Sequence, residues 1–414
     1  MYIPRQRQFW SVGLGHFTND VFMASGSILL IFLSTTIVPM SFTQIGFALG
    51  MQQLSGALAQ PMFGLRADKS GGRVIGSGGL AWVAAMFALT LLIALLTRNY
   101  YLMLIPFLMQ GLGSAALHPV GMLHAAESNE RRAASNTAYF FLMGQSGLAL
   151  GPALVGYLLD AANRGTLIKF SGVTGFPGIN VMTVSVMPLF FMALFAIPIV
   201  IFMFTGLPRG RLVPAKEEKT NGKASHSTVT YAPFIIIALL VMLRALAQPG
   251  SANFIPVLFE EKGWTAAQYG LIASSFWIAS GIAGVIMGNL ADRFDRRYIV
   301  LASMVISAPA FFLLPFIDGA AAFALAIIAG GFSGGSHSII VVLAQELVPD
   351  SKGFASGAIL GFIFASGAIG NIIIGAVSDV IGLGVTFQIV AITAVAAGFF
   401  ALLLPKRQQP VVAS

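Results

Sequence analysis

The sequence predicts an all-α integral membrane protein with twelve transmembrane helices in two pseudo-symmetric six-helix bundles. Three observations carry that expectation. Of the 414 residues, 57% are hydrophobic and only 9% are charged, against about 25% charged in an ordinary soluble domain. Apolar stretches of membrane length, about 20 residues each, follow one another along nearly the whole chain. One charged loop is written twice, as GLRADKSGGR from Gly64 to Arg73 and as GNLADRFDRR from Gly288 to Arg297.

The spans read as 10–38, 43–65, 74–97, 100–123, 134–158, 181–206, 232–258, 266–290, 298–317, 320–345, 353–378 and 383–404. The start, MYIPRQRQFW, has the charge of a signal-peptide n-region. His16, Asn19 and Asp20 interrupt the apolar stretch behind it, so it reads as a retained first helix. Of the 23 Lys and Arg residues, Arg98, Arg164, Lys169 and Lys262 fall on one side and Arg244 inside a span, leaving 18 (23 − 5) on the side of the termini. Basic excess marks the cytoplasmic side, so both termini are expected in the cytoplasm, at the inner membrane. The polar stretch 207–231 has no apolar periodicity and reads as a flexible linker between bundles 1–206 and 232–414. The net charge of +8 lies in short loops and does not form a nucleic-acid footprint. With no cysteine, disulfides, thiolate metal sites and cysteine nucleophiles are excluded.

The repeat extends beyond the loops. Gly64 and Gly288 are 224 positions apart (288 − 64), as are Asp68 and Asp292. The same offset pairs Gln44-Ile45-Gly46 with Gln268-Tyr269-Gly270, and Asp20 with Arg244. Later the offset becomes 219 (337 − 118) and pairs His118 with His337, Glu127 with Glu346, Gly151 with Gly370, Gly156 with Gly375, and Asp160 with Asp379. Each half starts on the same side and has six spans. Such a parallel repeat places a substrate site between the halves near the midplane.

Asp20 lies about ten residues into the first span, roughly 15 Å deep in a core about 30 Å thick, and Arg244 is similarly deep in the seventh. An ionisable group there costs at least about 2.5–3.5 kcal/mol, so it faces a partner or a cavity. Two readings stand. One is a structural ion pair joining the halves; in the other, Asp20 takes up protons and Arg244 holds an anionic substrate. His16, Asn19 and Asp20 share a helix face at i, i+3 and i+4. His118 lies on a stripe with Gln110 and Ser114, and His337 on one with Ser333. Each of these histidines reads as a packing residue or as a cavity group, and His124 reads as structural. No histidine pair has metal-type spacing with carboxylates, so no metal site is expected. No nucleophile–base arrangement is evident, so an enzyme is not expected.

The doubled loop resembles the signature loop G-x-L-A-D-[RK]-x-G-R-[RK] of major facilitator superfamily transporters. GHFTND (15–20), LSGALAQPMFG (54–64), GLGSAALHP (111–119) and AQELVP (344–349) are similar to the fosmidomycin-resistance branch of its drug:proton antiporters. The resemblance implies gating roles for Gly64, Asp68 and Arg73 and for Gly288, Asp292 and Arg297; Asp295 stands where the family prefers Gly. Glu127 and Glu346 read as charge partners of these loops or as exposed helix-end charge. GLALGPALVG, with Gly147, Gly151, Pro152 and Gly156, resembles the antiporter motif G-x-x-x-G-P-x-x-x-G. QGLGSAA (110–116) resembles another family motif, but Phe107 stands where the family has an Arg associated with proton coupling.

No G-x-x-x-x-G-K-[ST] loop is present, so an ion gradient is the expected energy source. The sequence therefore reads as a proton-coupled exporter of a small drug-like or anionic metabolite, working by alternating access. Its expected partners are a small-molecule substrate, protons and the bilayer, with no cofactor, no nucleic acid and a monomeric state. The alternatives are an uptake symporter or facilitator for an organic anion, and a sensor with a transporter fold.

Overall fold

A computed structural model of the chain describes residues 3–70, 72–160, 181–210, 232–337, 339–340, 343 and 352–404. Its long elements, in order, are α1 (Arg7–Thr36), α2 (Phe42–Ser70), α3 (Arg73–Thr97), α4 (Tyr100–Glu127), α5 (Ala133–Leu159), α6 (Val181–Gly206), α7 (Ala232–Glu261), α8 (Ala266–Arg293), α9 (Arg296–Leu313), α10 (Gly319–Gly335), α11 (Lys352–Ile381) and α12 (Leu383–Leu402). Ten of these are long and apolar enough to cross a membrane. The other two are α2, which carries four glutamines and the charged Arg66, Asp68 and Lys69, and α10, which is apolar but has 17 described residues. The protein is a multi-pass membrane protein with an all-α fold. The expected linker falls largely on 211–231, outside the described residues.

One span differs from the sequence reading. The seventh is not continuous: α7 breaks at Leu246–Gly250, where Gln248 takes extended backbone (φ −166°, ψ 122°). Pro249 explains the break. It lacks an amide hydrogen, its ring crowds the preceding turn, and it drives the residue before it toward extended conformation.

The two halves repeat one packing scheme. In the first, α1 lies on α5, α2 and α3 lie on α4, and α3 lies on α6; in the second, α7 lies on α11, α8 and α9 on α10, and α9 on α12. The halves meet chiefly through α2 with α11 and α5 with α8. At both contacts backbone touches backbone. A Cβ on Gly46 would overlap the carbonyl oxygen of Asn371, and one on Gly375 that of Phe42. Across the pseudo-twofold, a Cβ on Gly156 would overlap the Ala266 oxygen, and one on Gly270 that of Pro152. Small residues at these points allow the close approach.

Carboxylates complete both contacts. Asp379 of α11 accepts from the backbone N–H groups of Phe42 (2.9 Å) and Thr43 (2.8 Å), the first turn of α2. Asp160, at the end of α5, accepts from Ala267 N–H at the start of α8 (3.2 Å). Each half thus supplies a carboxylate to unpaired amides of the other half's helix, where the helix dipole also favours negative charge. Further in, Ala153 N–H donates to Ser274 Oγ (2.9 Å), and Asn371 donates to Gln53 Oε1 (3.3 Å) while accepting from Asn253 (3.0 Å). All of this lies toward the face on which α2 and α8 begin, opposite the face from which α1 and α7 start.

Loss of an N-cap costs about 0.5–2 kcal/mol. Replacing both Asp160 and Asp379 by Ala is therefore expected to shift the population toward structures open at this face. Spin-label distances between the first turn of α2 and the last turn of α11 measure it, and a chain without cysteine gives a clean labelling background. An unchanged distance distribution would remove the aspartates from gate control.

Candidate functional site

Deep in the first half, α1 and α4 bring three ionisable side chains together. His16 and Asp20, one turn apart on α1, meet at 3.2 Å (Nε2–Oδ2). His118 of α4 places Nε2 3.7 Å from Asp20 Oδ1. Asn19 donates from Nδ2 to Asp20 Oδ1 (2.8 Å) and to Ser114 Oγ (3.1 Å), stitching α1 to α4. His16, Asn19 and Asp20 are buried and His118 is half-buried. The His16 ring is stacked on Phe140 of α5 at 4.1 Å, and the two imidazoles meet edge-on at 4.8 Å.

α5 holds this cluster from behind. A Cβ on Gly144 would overlap the His16 imidazole and lie 2.8 Å from Asp20 Oδ2. A Cβ on Gly147 would overlap Phe17 O and lie 3.0 Å from Asp20 Cβ, and one on Gly151 would lie 2.5 Å from Val21 O. The antiporter-type motif therefore has two uses here: Gly147 and Gly151 press α5 on α1, while Pro152 and Gly156 meet α8. Gly144 and Phe140 were not singled out in the sequence. The i, i+3 spacing of Gly144 with Gly147 was the signal available for the first; nothing marked the second.

Arg244 has a different setting from the one expected. It is buried, and it does not pair with Asp20, whose partners are His16, His118 and Asn19. Its Nε donates to Ser336 Oγ (2.8 Å), and its Nη2 to Gln248 Oε1 (2.6 Å) and Ser333 O (3.2 Å). The guanidinium thus ties α10 to the break in α7. The offset relating Asp20 to Arg244 identifies equivalent positions in the two halves, which need not touch. His337 is half-buried beside Ser336. Gln110 is fully buried, 3.5 Å from Thr90 Oγ1 of α3, and does not join the cluster.

The expectation of no metal spacing did not foresee that His16, Asp20 and His118 would offer ligand-type atoms all within 4.8 Å of one another. Sequence separation concealed the approach of α1 and α4.

The gating candidates engage their own halves. Arg73 lies over the Phe204 ring of α6 at 4.2 Å. Arg297 pairs with Asp295 (2.7 Å) and donates to Leu404 O (3.0 Å) at the end of α12. Asp295 also caps α9 through Arg297 N–H (3.0 Å), which accounts for an aspartate where the family motif has Gly. Gly64 has only ordinary contact with Pro119, and Gly288 is half-buried in α8. Glu127 lies 3.5 Å from His124, a helix neighbour and not a loop arginine. The side chains of Asp68 and Asp292, and Glu346 as a whole, lie outside the described residues.

The family model of the Major Facilitator Superfamily matches residues 14–249 and 234–414. The chain belongs to this superfamily: it is a membrane transporter, not an enzyme. It is 27% identical to the uncharacterized MFS-type transporter YfnC of Bacillus subtilis (strain 168), over 96% of this chain and 92% of that one. It is 25% identical to the fosmidomycin resistance protein of Escherichia coli (strain K12), over 92% and 88%. Among solved structures, a bacterial homologue of the human lysosomal transporter Spinster, inward-facing and occupied, aligns with a TM-score of 0.77 at 14% identity, covering 95% of each chain. The inward-open xylose transporter XylE from E. coli aligns with a TM-score of 0.70 at 12% identity, covering 97% of each.

Four variants check these packings. Gly144→Ala is expected to destabilise the protein by about 1–3 kcal/mol through overpacking. Gly78→Ala, with nothing within 4 Å of the new methyl, should be neutral or slightly stabilising. Arg244→Met should cost about 1–3 kcal/mol by leaving buried acceptors unpaired, and Arg244→Lys should not restore it, because one ammonium lacks the planar fork that spans Ser336, Gln248 and Ser333. Thermal unfolding in one detergent reads all four.

Proposed function

We propose that this transporter exports a small drug-like solute by proton antiport and alternating access, with both termini in the cytoplasm of the inner membrane. The observation that carries the reading is the cluster of His16, Asp20 and His118 in the interior of the first half. A carboxylate held by two imidazoles inside a membrane forms a cluster that can gain and lose a proton, and such clusters mark ion pathways. Moving one charge through 100 mV supplies about 2.3 kcal/mol, enough for a roughly 50-fold solute gradient.

Export is supported by the fosmidomycin resistance relative and by the antiporter-type motif in α5. Orientation is supported by the 18 basic residues on the side of the termini (23 − 5). The interlock of α2 with α11 and α5 with α8 closes the opposite face, which is the arrangement an exporter needs while loading from the cytoplasm. Arg244 acts as the brace of α7, buried and already engaged by Gln248, Ser333 and Ser336. The transporter works as a monomer, since one chain carries both halves and the whole ionisable cluster.

A drug-susceptibility panel in a strain lacking its own exporters tests the reading. Expression of the wild-type chain should raise tolerance to at least one compound several-fold. Asp20→Asn should abolish that gain with unchanged protein in the membrane. In right-side-out vesicles, accumulation of the same compound driven by an acidic exterior would overturn export in favour of uptake.

A further inference from the structure

The histidine ring nitrogens in the cluster are assigned by their backbone partners. His16 Nδ1 lies 2.9 Å from the carbonyl oxygen of Phe140. His118 Nδ1 lies 2.8 Å from Ser114 O, closer than the 3.3 Å to the Ser114 hydroxyl. A carbonyl oxygen only accepts, so both Nδ1 atoms carry hydrogen. Both Nε2 atoms then point at one carboxylate. With neutral rings, two lone pairs would face an anion with no hydrogen between them, in a buried site where unpaired acceptors are costly.

One proton resolves half of this conflict. The His16–Asp20 separation of 3.2 Å is a hydrogen-bond distance, whereas the His118–Asp20 separation of 3.7 Å is not. The geometry therefore fits one proton shared between His16 and Asp20. The three groups then carry no net charge, the state least penalised inside a membrane.

Access is unequal. The His118 side chain is 26% exposed, against 4% for His16 and 10% for Asp20. α5 covers the inner pair with Phe140, Gly144 and Gly147, none of them titratable. Among the described residues, the titratable groups of the cluster are His16 and Asp20 on α1 and His118 on α4. Of the charged groups of α7, Arg244 is buried and engaged by Gln248, Ser333 and Ser336, and Glu260 and Glu261 lie in its last turn, at the other end from the chain start.

We propose that His118 is the port of the coupling site, taking the transported proton at Nε2 and returning it there, while the proton between His16 and Asp20 stays in place. On loading, hydronium or water reaching the exposed part of the His118 side chain gives up a proton and an N–H bond forms at His118 Nε2. The imidazolium moves onto Asp20 Oδ1, and the cluster passes from zero to one positive charge. Release is the reverse, to water on the other side. Asp20 is then the anchor of the site and His118 its carrier, with one proton exchanged per cycle. The proposal rests on the proton-coupled reading above and assigns the exchanging group within it.

The test is a pH titration of full-length protein with 15N-labelled histidine in lipid nanodiscs, with the five histidines assigned by substitution. His118 should convert from the Nδ1–H neutral ring to imidazolium as the buffer is acidified, while His16 keeps a shared-proton Nε2 signal throughout. Proton uptake on acidification, read with a soluble pH dye, should fall by about one per molecule in His118→Gln and in His118→Asn. The proposal is overturned if His118 does not titrate, if either ring shows a neutral Nε2–H form, or if infrared spectra show a carboxylic-acid band that rises and falls with pH and is lost in Asp20→Asn. Stoichiometric binding of Zn²⁺ alone that disappears in His118→Gln would also overturn it, in favour of a metal site. The titration needs no substrate, so its failure is separable from a failure of the export reading, which the susceptibility panel and vesicles decide.

Discussion

The structure depends on the contact where the halves meet backbone to backbone. Glycines 46, 375, 156 and 270 remove the side chains that would hold the helices apart, and the chain opposite supplies a carbonyl at each point. Such an approach leaves polar backbone groups away from water, and every unpaired one is costly. Asp160, buried, meets part of that cost by accepting from the first amides of α8, and Asp379 accepts from those of α2 at the exposed edge of the other contact. The same rod, α5, then reaches back to the cluster: Gly156 docks on α8, while Gly151, Gly147 and Gly144 press successively on α1 around Asp20. Interlock and ionisable site are therefore joined through one helix.

Charge inside the membrane is settled within each half. In the first, a carboxylate is balanced by imidazoles from its own helix and from α4. In the second, a guanidinium is satisfied by a serine hydroxyl, a serine carbonyl and the side chain of Gln248. Repeat-equivalent positions thus have opposite chemistry. The first half has a continuous α1 and a group suited to proton exchange. The second has a broken α7 and a guanidinium that fixes the break. Duplication supplied the scaffold twice, and the residues at one matched pair of positions divided the work.

Much of this was legible in the sequence. Membrane helices are written in long apolar runs, so the span list agrees closely with the helices; α6 ends where the sequence places it. The repeat was legible because a doubled charged loop is rare in an apolar chain. Asp20 was legible because a carboxylate in such a run is conspicuous. Of its partners, His16 and Asn19 were legible as neighbours on one helix face, and His118 was not. The offset pointed to Arg244, whereas proximity is set by the packing of α1 on α4, which no local pattern records. The α7 break was visible in outline as Gln248-Pro249 but was absorbed into an apolar span. Asp160 and Asp379 stood out only as matched letters, because a carboxylate that caps a distant helix looks the same as one that ends its own.

The paired caps have a consequence for how the molecule changes shape. Each half contributes one carboxylate and one helix start, and the two contacts are related by the pseudo-twofold axis. A rocking of one half against the other that keeps the pseudo-twofold relation separates α2 from α11 and α5 from α8 together. For that motion the face is a single catch with two teeth, each half holding one tooth of the other.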